Sequence, residues 1–115
     1  MDGRVQLPVI KYLQKRFNAE YVDSITEPGP NLILSEGIWN TATRSILNRL
    51  EISIEKHESV GVAIVGHYDC AGNPASKDVQ LEHTKHATAF VKQQCPKSEV
   101  IGLWVDEKWN VSELT

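Results

Sequence analysis

The segment Val60-Gly61-Val62-Ala63-Ile64-Val65-Gly66 constrains the fold more than any other stretch of this chain. It is continuously apolar, the pattern of a strand covered on both faces, as in a parallel sheet. Val100 to Val105 reads as a second strand, and Asp106 to Asn110 as a turn behind it. Between the two runs, Asp78 to Gln94 has helical spacing, with Val79, His83, His86, Phe90 and Val91 on one stripe. An earlier helix is expected from about Ile38 to His57, with Ile38, Ala42, Ile46, Leu50 and Ile54 spaced by fours. Arg44, Asn48, Arg49 and Glu51 fall on its outer side. Pro8 suits the first turn of a helix that carries Val9, Tyr12, Leu13 and Phe17. Tyr21 to Thr26 reads as a short strand, and Glu27-Pro28-Gly29-Pro30-Asn31 as a loop. Helices and strands alternate, which predicts an α/β fold: a three-layer sandwich with a mostly parallel sheet. The Val60–Gly66 strand is expected near the centre of that sheet, with helices on both faces.

No repeat, low-complexity tract or linker interrupts the chain, so its 115 residues are expected to form one domain, 1–115. A net charge of -3 offers no basic face for nucleic acid. No apolar run approaches the roughly 18 residues of a membrane span. Met1-Asp2-Gly3-Arg4 lacks the apolar stretch of a signal peptide, so a cytoplasmic location is expected. In that compartment Cys70 and Cys95 are expected as free or metal-bound thiols.

Chemistry concentrates in His67-Tyr68-Asp69-Cys70, directly after the buried strand, where open α/β sheets place their binding crevices. Imidazole and thiolate three positions apart can converge on one tetrahedral zinc. The spacing alone fits equally a loop histidine beside a buried cysteine. Asp2 and Arg4 form a second pair, in which the guanidinium can hold and orient the carboxylate. A solvated terminal ion pair has the same spacing. His83 and His86, three apart on a helix, fit packing as well as metal binding, and Cys95 before Pro96 reads as a small buried hydrophobe.

Taken together and in order, these fragments resemble the β-class carbonic anhydrases. That family joins a Cys-x-Asp-x-Arg motif after its first strand to a Gly-His-x-x-Cys motif after a later one. Met1-Asp2-Gly3-Arg4 matches the first motif from its second position onward, and Gly66-His67-Tyr68-Asp69-Cys70 matches the second throughout. The likeness extends over Ile25 to Asn31 and Val100 to Asn110. It implies that zinc is the cofactor, that His67 and Cys70 are its ligands, and that Asp2 either accepts a hydrogen bond from the zinc-bound hydroxide or ligates zinc itself. Arg4 would hold Asp2. The implied reaction is reversible hydration of carbon dioxide to bicarbonate, with zinc lowering the pKa of its water to roughly 7.

The resemblance also implies a homodimer or larger assembly. The chain departs from the family pattern in four places. The first cysteine, and the strand leading to it, would lie upstream of Met1, as would the family's amino-terminal helical arm. Glu27-Pro28 stands where an arginine is usual, and Ala71 displaces a glycine to position 72. Two other functions remain compatible with the same residues. One is action on a related small molecule such as carbonyl sulfide or carbon disulfide; the other is a non-catalytic zinc-binding relative.

Overall fold

The computed structural model describes residues 1–114. The two apolar runs pair with each other. β1 (Gly61–His67) and β2 (Glu99–Val105) form a parallel ladder, from Gly61 opposite Glu99 to His67 opposite Val105. A parallel pair needs a long crossover, and α4 (Lys77–Gln94) supplies it. β3 (Val111–Glu113) then returns antiparallel along β2, giving the order β1-β2-β3. The remaining elements are α1 (Gly3–Arg16), α2 (Pro30–Ser35) and α3 (Thr41–Lys56). No helix among the described residues is long and apolar enough to cross a membrane.

Helices cover both faces of the sheet, as expected of this α/β class. A side chain at Gly61 would meet the Phe17 ring at the end of α1, at 2.3 Å. One at Gly66 would meet Thr84 of α4 and Asn31 of α2, at 2.8 and 3.2 Å. Leu34, Ile46, Leu50, Ile64, Ala87 and Val91 make the core between β1 and the helices α2, α3 and α4.

The expected central position of β1 is not found. Among the described residues β1 pairs with β2 alone, so it forms one edge of the three-stranded sheet. The cause lies in Tyr21–Thr26, which was expected as a strand and joins no ladder. Val22 to Thr26 instead face β1 across a cavity of about 170 Å³, into which Val5, Val9 and Leu13 of α1 also reach. A second cavity, of about 630 Å³, continues between 18–23 and the start of β1.

Three helix boundaries also differ from expectation. α1 begins at Gly3 rather than Pro8, because the Asp2 side chain caps it by accepting from the Arg4 N–H. Pro8 lies inside the helix, where it has no N–H to offer the Arg4 carbonyl. α2 begins at Pro30, inside the expected Glu27–Asn31 loop; left-handed Gly29 (φ 63°) turns the chain into it, and Pro30 occupies its first turn. α3 starts only at Thr41, where the Asn40 side chain accepts from the Thr43 N–H at 2.9 Å.

The buried stripe of α4 is shifted from the predicted one. Val79 and His86 are exposed, whereas Gln80, Thr84, Ala87 and Val91 are buried. Polar residues can face inward here because they bond one another. Asn31 Nδ2 donates to Thr84 Oγ1 at 2.8 Å, and the Thr84 hydroxyl donates to the Gln80 carbonyl at 2.9 Å.

At the opposite end of the molecule from the β1–α4 loop, Asp23 ties the 19–26 segment to α3. It accepts from the Ser53 hydroxyl at 2.7 Å and pairs with His57 Nδ1 at 2.6 Å. These two contacts, Ser53 first, lower the Asp23 pKa. A carboxyl lowered in the folded state stabilises above its unfolded value, near 4, and loses that contribution as pH falls through the folded value. Asp23→Asn should therefore melt below the wild type at neutral pH. The gap should narrow as the pH falls below about 4 and close once it passes the lowered folded-state pKa of Asp23, where the carboxyl, like the asparagine amide, is uncharged. Thermal melts across pH 2 to 7 measure it; a pH-independent gap would exclude the charge as its source.

Candidate active site

The carboxyl end of β1 collects the residues singled out in the sequence. His67 closes the strand and is buried. Its Nδ1 lies 2.8 Å from the Tyr68 carbonyl. A carbonyl only accepts, so the proton sits on Nδ1 and Nε2 keeps a lone pair suited to a metal. Asp69, left-handed at φ 58°, turns the chain back, and Cys70 follows as a buried free thiol. His67 and Cys70 line the same cavity of about 170 Å³.

Asp2 and Arg4 stand at the start of α1. Arg4 Nη2 reaches Asp2 Oδ2 at 2.6 Å, and Arg4 Nε is shared between Oδ1 and Oδ2 at 3.0 and 3.1 Å. The Arg4 backbone N–H adds a bond to Oδ1 at 2.9 Å. The side-chain bonds from Arg4, then this backbone bond, hold the Asp2 carboxyl well below the usual carboxylate range. Asp2 is therefore ionised at any ordinary pH.

The two motifs are in direct contact. Arg4 Nη1 bonds Asp69 Oδ2 at 3.3 Å, and Nη2 bonds the Asp69 carbonyl at 3.2 Å. The guanidinium also lies 4.7 Å from the centre of the Trp109 ring. Beneath the site, two loops meet backbone to backbone. A side chain at Gly72 would fall 2.3 Å from the Pro28 carbonyl carbon, so the 27–30 and 70–74 loops approach closely only through glycine. Glu27 and Arg49 form an ion pair beside them.

Among the described residues, no group of three or more His, Cys, Asp or Glu is placed to hold a metal ion. Two donors, Nε2 of His67 and the Cys70 thiol, are what these residues bring to one cavity, and both are of the kind zinc takes. Asp2 is instead engaged by Arg4. His83 and His86 do not form a metal pair: His83 Nδ1 bonds Asn73 Nδ2 at 2.9 Å, and His86 is exposed.

Three buried amides on this cavity, Asn31, Asn73 and Gln80, were missed in the sequence. Asn31 and Asn73 sit in Gly-Pro-Asn and Gly-Asn-Pro contexts that read simply as turns. Asn31 Oδ1 is buried without a hydrogen-bond partner, leaving a free acceptor.

Asp2 has two separable roles, cap and counter-ion. Asn caps a helix as well as Asp does, and Ala does not. Asp2→Ala should lower the stability measurably, while Asp2→Asn keeps most of it. Urea unfolding of both variants checks this; equal losses would mean that the cap contributes nothing.

Residues 1–115 match the family model described as "Putative carbonic anhydrase". Neither a curated protein nor a solved structure matches the chain. Since the match runs the whole length of the sequence, the chain belongs to this carbonic anhydrase family.

Proposed function

We propose that this single domain is a zinc-dependent lyase of the β-class carbonic anhydrase kind, hydrating carbon dioxide reversibly to bicarbonate, with His67 and Cys70 as zinc ligands. The observation that carries this reading is the bond from Arg4 to Asp69, which joins the Asp2–Arg4 pair to the turn between the two ligands. Bound zinc would supply a Lewis acid that makes water nucleophilic at neutral pH. Everything else falls to the side chains.

Asp2 orients the nucleophile. Three N–H groups of Arg4 serve its carboxylate: the backbone N–H, Nε and Nη2. Since the single Nε–H is shared between both oxygens, the roughly four acceptor positions of the carboxylate are not all filled, and it can still accept a hydrogen bond from the attacking water. Arg4 keeps that acceptor charged and fixed. Asn31 Oδ1 offers a second acceptor on the cavity wall. The apolar wall of Val5, Val9 and Leu34 suits a small uncharged substrate.

Two protein ligands hold zinc less tightly than three. In this reading water completes the coordination, and a slot beside β1 stays open to an added strand. The slot runs along the free edge of β1, and Met1 lines it. Exposed Leu7, Ile38 and Trp39 favour a homodimer or larger assembly, and a cytoplasmic setting keeps the thiols reduced.

Zinc content after dialysis, together with stopped-flow hydration of carbon dioxide, tests the reading. The wild-type chain should retain zinc and Cys70→Ser should not; retention should also fall in acid, where both ligands take up protons. Joining an apolar strand that ends in cysteine to Met1 should raise zinc affinity and hydration rate together. Stoichiometric zinc in Cys70→Ser would place the metal elsewhere and end the proposal. Zinc held at His67 and Cys70 without any hydration would leave a non-catalytic relative.

A further inference from the structure

Among the described residues, four other than glycine have left-handed backbones: Asn18, Glu58, Asp69 and Trp109. The conformation is unfavourable for most L residues, less so for Asn and Asp, and is a true outlier for a bulky residue such as tryptophan. Two of the four, Asp69 and Trp109, touch the same group, the Arg4 guanidinium. They come from different loops, one after β1 and one after β2. We infer that Asp69 and Trp109 are positioning residues that hold Arg4, and through it the Asp2 carboxylate, in the orientation the proposed hydration requires.

The turn that presents Trp109 is built to sustain its conformation. The Asp106 carboxylate accepts from the backbone N–H groups of Lys108 and Asn110, both at 2.9 Å. The Trp109 N–H donates to the Asp106 carbonyl, and the Asp106 N–H to the Asn110 carbonyl, both at 3.0 Å. Four bonds thus fix a five-residue turn around a residue that prefers another backbone shape. Glycine would fit position 109 without strain. What tryptophan adds is a ring, half-buried, whose face meets a cation.

Arg4 is thereby confined on three sides. Asp2 takes Nε and Nη2, Asp69 takes Nη1 and a second bond from Nη2, and Trp109 covers the plane. The side chain is otherwise exposed, and an exposed arginine with a single carboxylate partner would be mobile. Confinement matters because only a fixed guanidinium leaves the spare acceptor of Asp2 pointing one way. Misplacing an orienting group slightly can cost a reaction up to about a hundredfold.

This inference rests on the proposed lyase function, and its test separates the two. Trp109→Gly removes the ring and relieves the backbone, so it should fold with an unchanged or higher melting temperature. Proton NMR of the metal-free chain should show the Arg4 Nε–H exchanging with water on the order of tenfold faster than in the wild type. In the zinc-loaded chain kcat should fall by a similar order with KM unchanged. Trp109→Phe, which keeps an aromatic face, should restore both. Asp69→Gly should loosen Arg4 in the same way, and Asp69→Asn should restore it in part. If Trp109→Gly and Asp69→Gly leave Arg4 exchange as it was, the positioning role is wrong, whether or not the chain hydrates carbon dioxide. If exchange rises as expected and even the wild type is inactive with zinc, Arg4 is held as described and the lyase reading falls.

Discussion

The parallel pairing of β1 with β2 governs the arrangement of this molecule. Parallel strands end on the same side, so the loops that follow them must emerge together. His67 stands opposite Val105, and the ladder continues one step further, with the Tyr68 N–H donating to the Val105 carbonyl at 2.9 Å. The loop bearing Asp69 and Cys70 is thus stitched to the start of the turn bearing Trp109. α1 begins at this same end, and it brings Asp2 and Arg4 to both loops. An antiparallel pairing would have sent the two loops to opposite ends, and Arg4 could not have reached Asp69 and Trp109 at once.

Below the strand ends the scaffold is unusually polar. Asn31, Asn73, Gln80 and Thr84 are all buried, and each has at least one hydrogen bond. Such a network is directional, whereas apolar packing is not, so it fixes the relative position of α2, α4 and the 70–74 loop. The contact of Gly29 with Gly72 works in the same sense, allowing the two backbones an approach that any side chain would prevent. The cavity that His67 and Cys70 line is bounded by groups with little freedom to move. Fixed donors and acceptors of this kind are what a small substrate requires, since it offers few atoms for binding.

Where one physical signal dominated, the sequence was legible. Continuous apolar runs marked β1 and β2 to within a residue or two, and helical spacing marked α3 and α4. The paired motifs located Asp2, Arg4, His67 and Cys70 at one strand end. Illegible features were those set by tertiary contact. Pro8 looked like a helix start because proline favours first turns, yet the Asp2 cap moved the start five residues earlier. Tyr21–Thr26 has strand composition, but a strand also needs a partner, and composition cannot supply one. The buried face of α4 is not legible from hydropathy, because Thr84 is held inward by a bond from distant Asn31 and Gln80 by a bond to the Ala75 carbonyl just before the helix. The Asp106–Asn110 turn is legible, but not the left-handed backbone of Trp109 within it or its contact with Arg4, which only the structure reveals.

The free edge of β1 and the candidate site are physically one problem. His67 is the last residue of that strand, and the cavity beside the edge is the cavity that Cys70 lines. Val62, Ala63 and Val65 remain half-buried for want of a neighbour on that side. An unpaired edge with apolar side chains is costly in water and prone to pairing with whatever strand is offered. Any segment that pairs with β1 would bury those residues, close the slot and stiffen the strand that carries His67. Stability of the sheet and order at the His67–Cys70 pair must therefore rise or fall together, because no joint separates the strand from its terminal histidine.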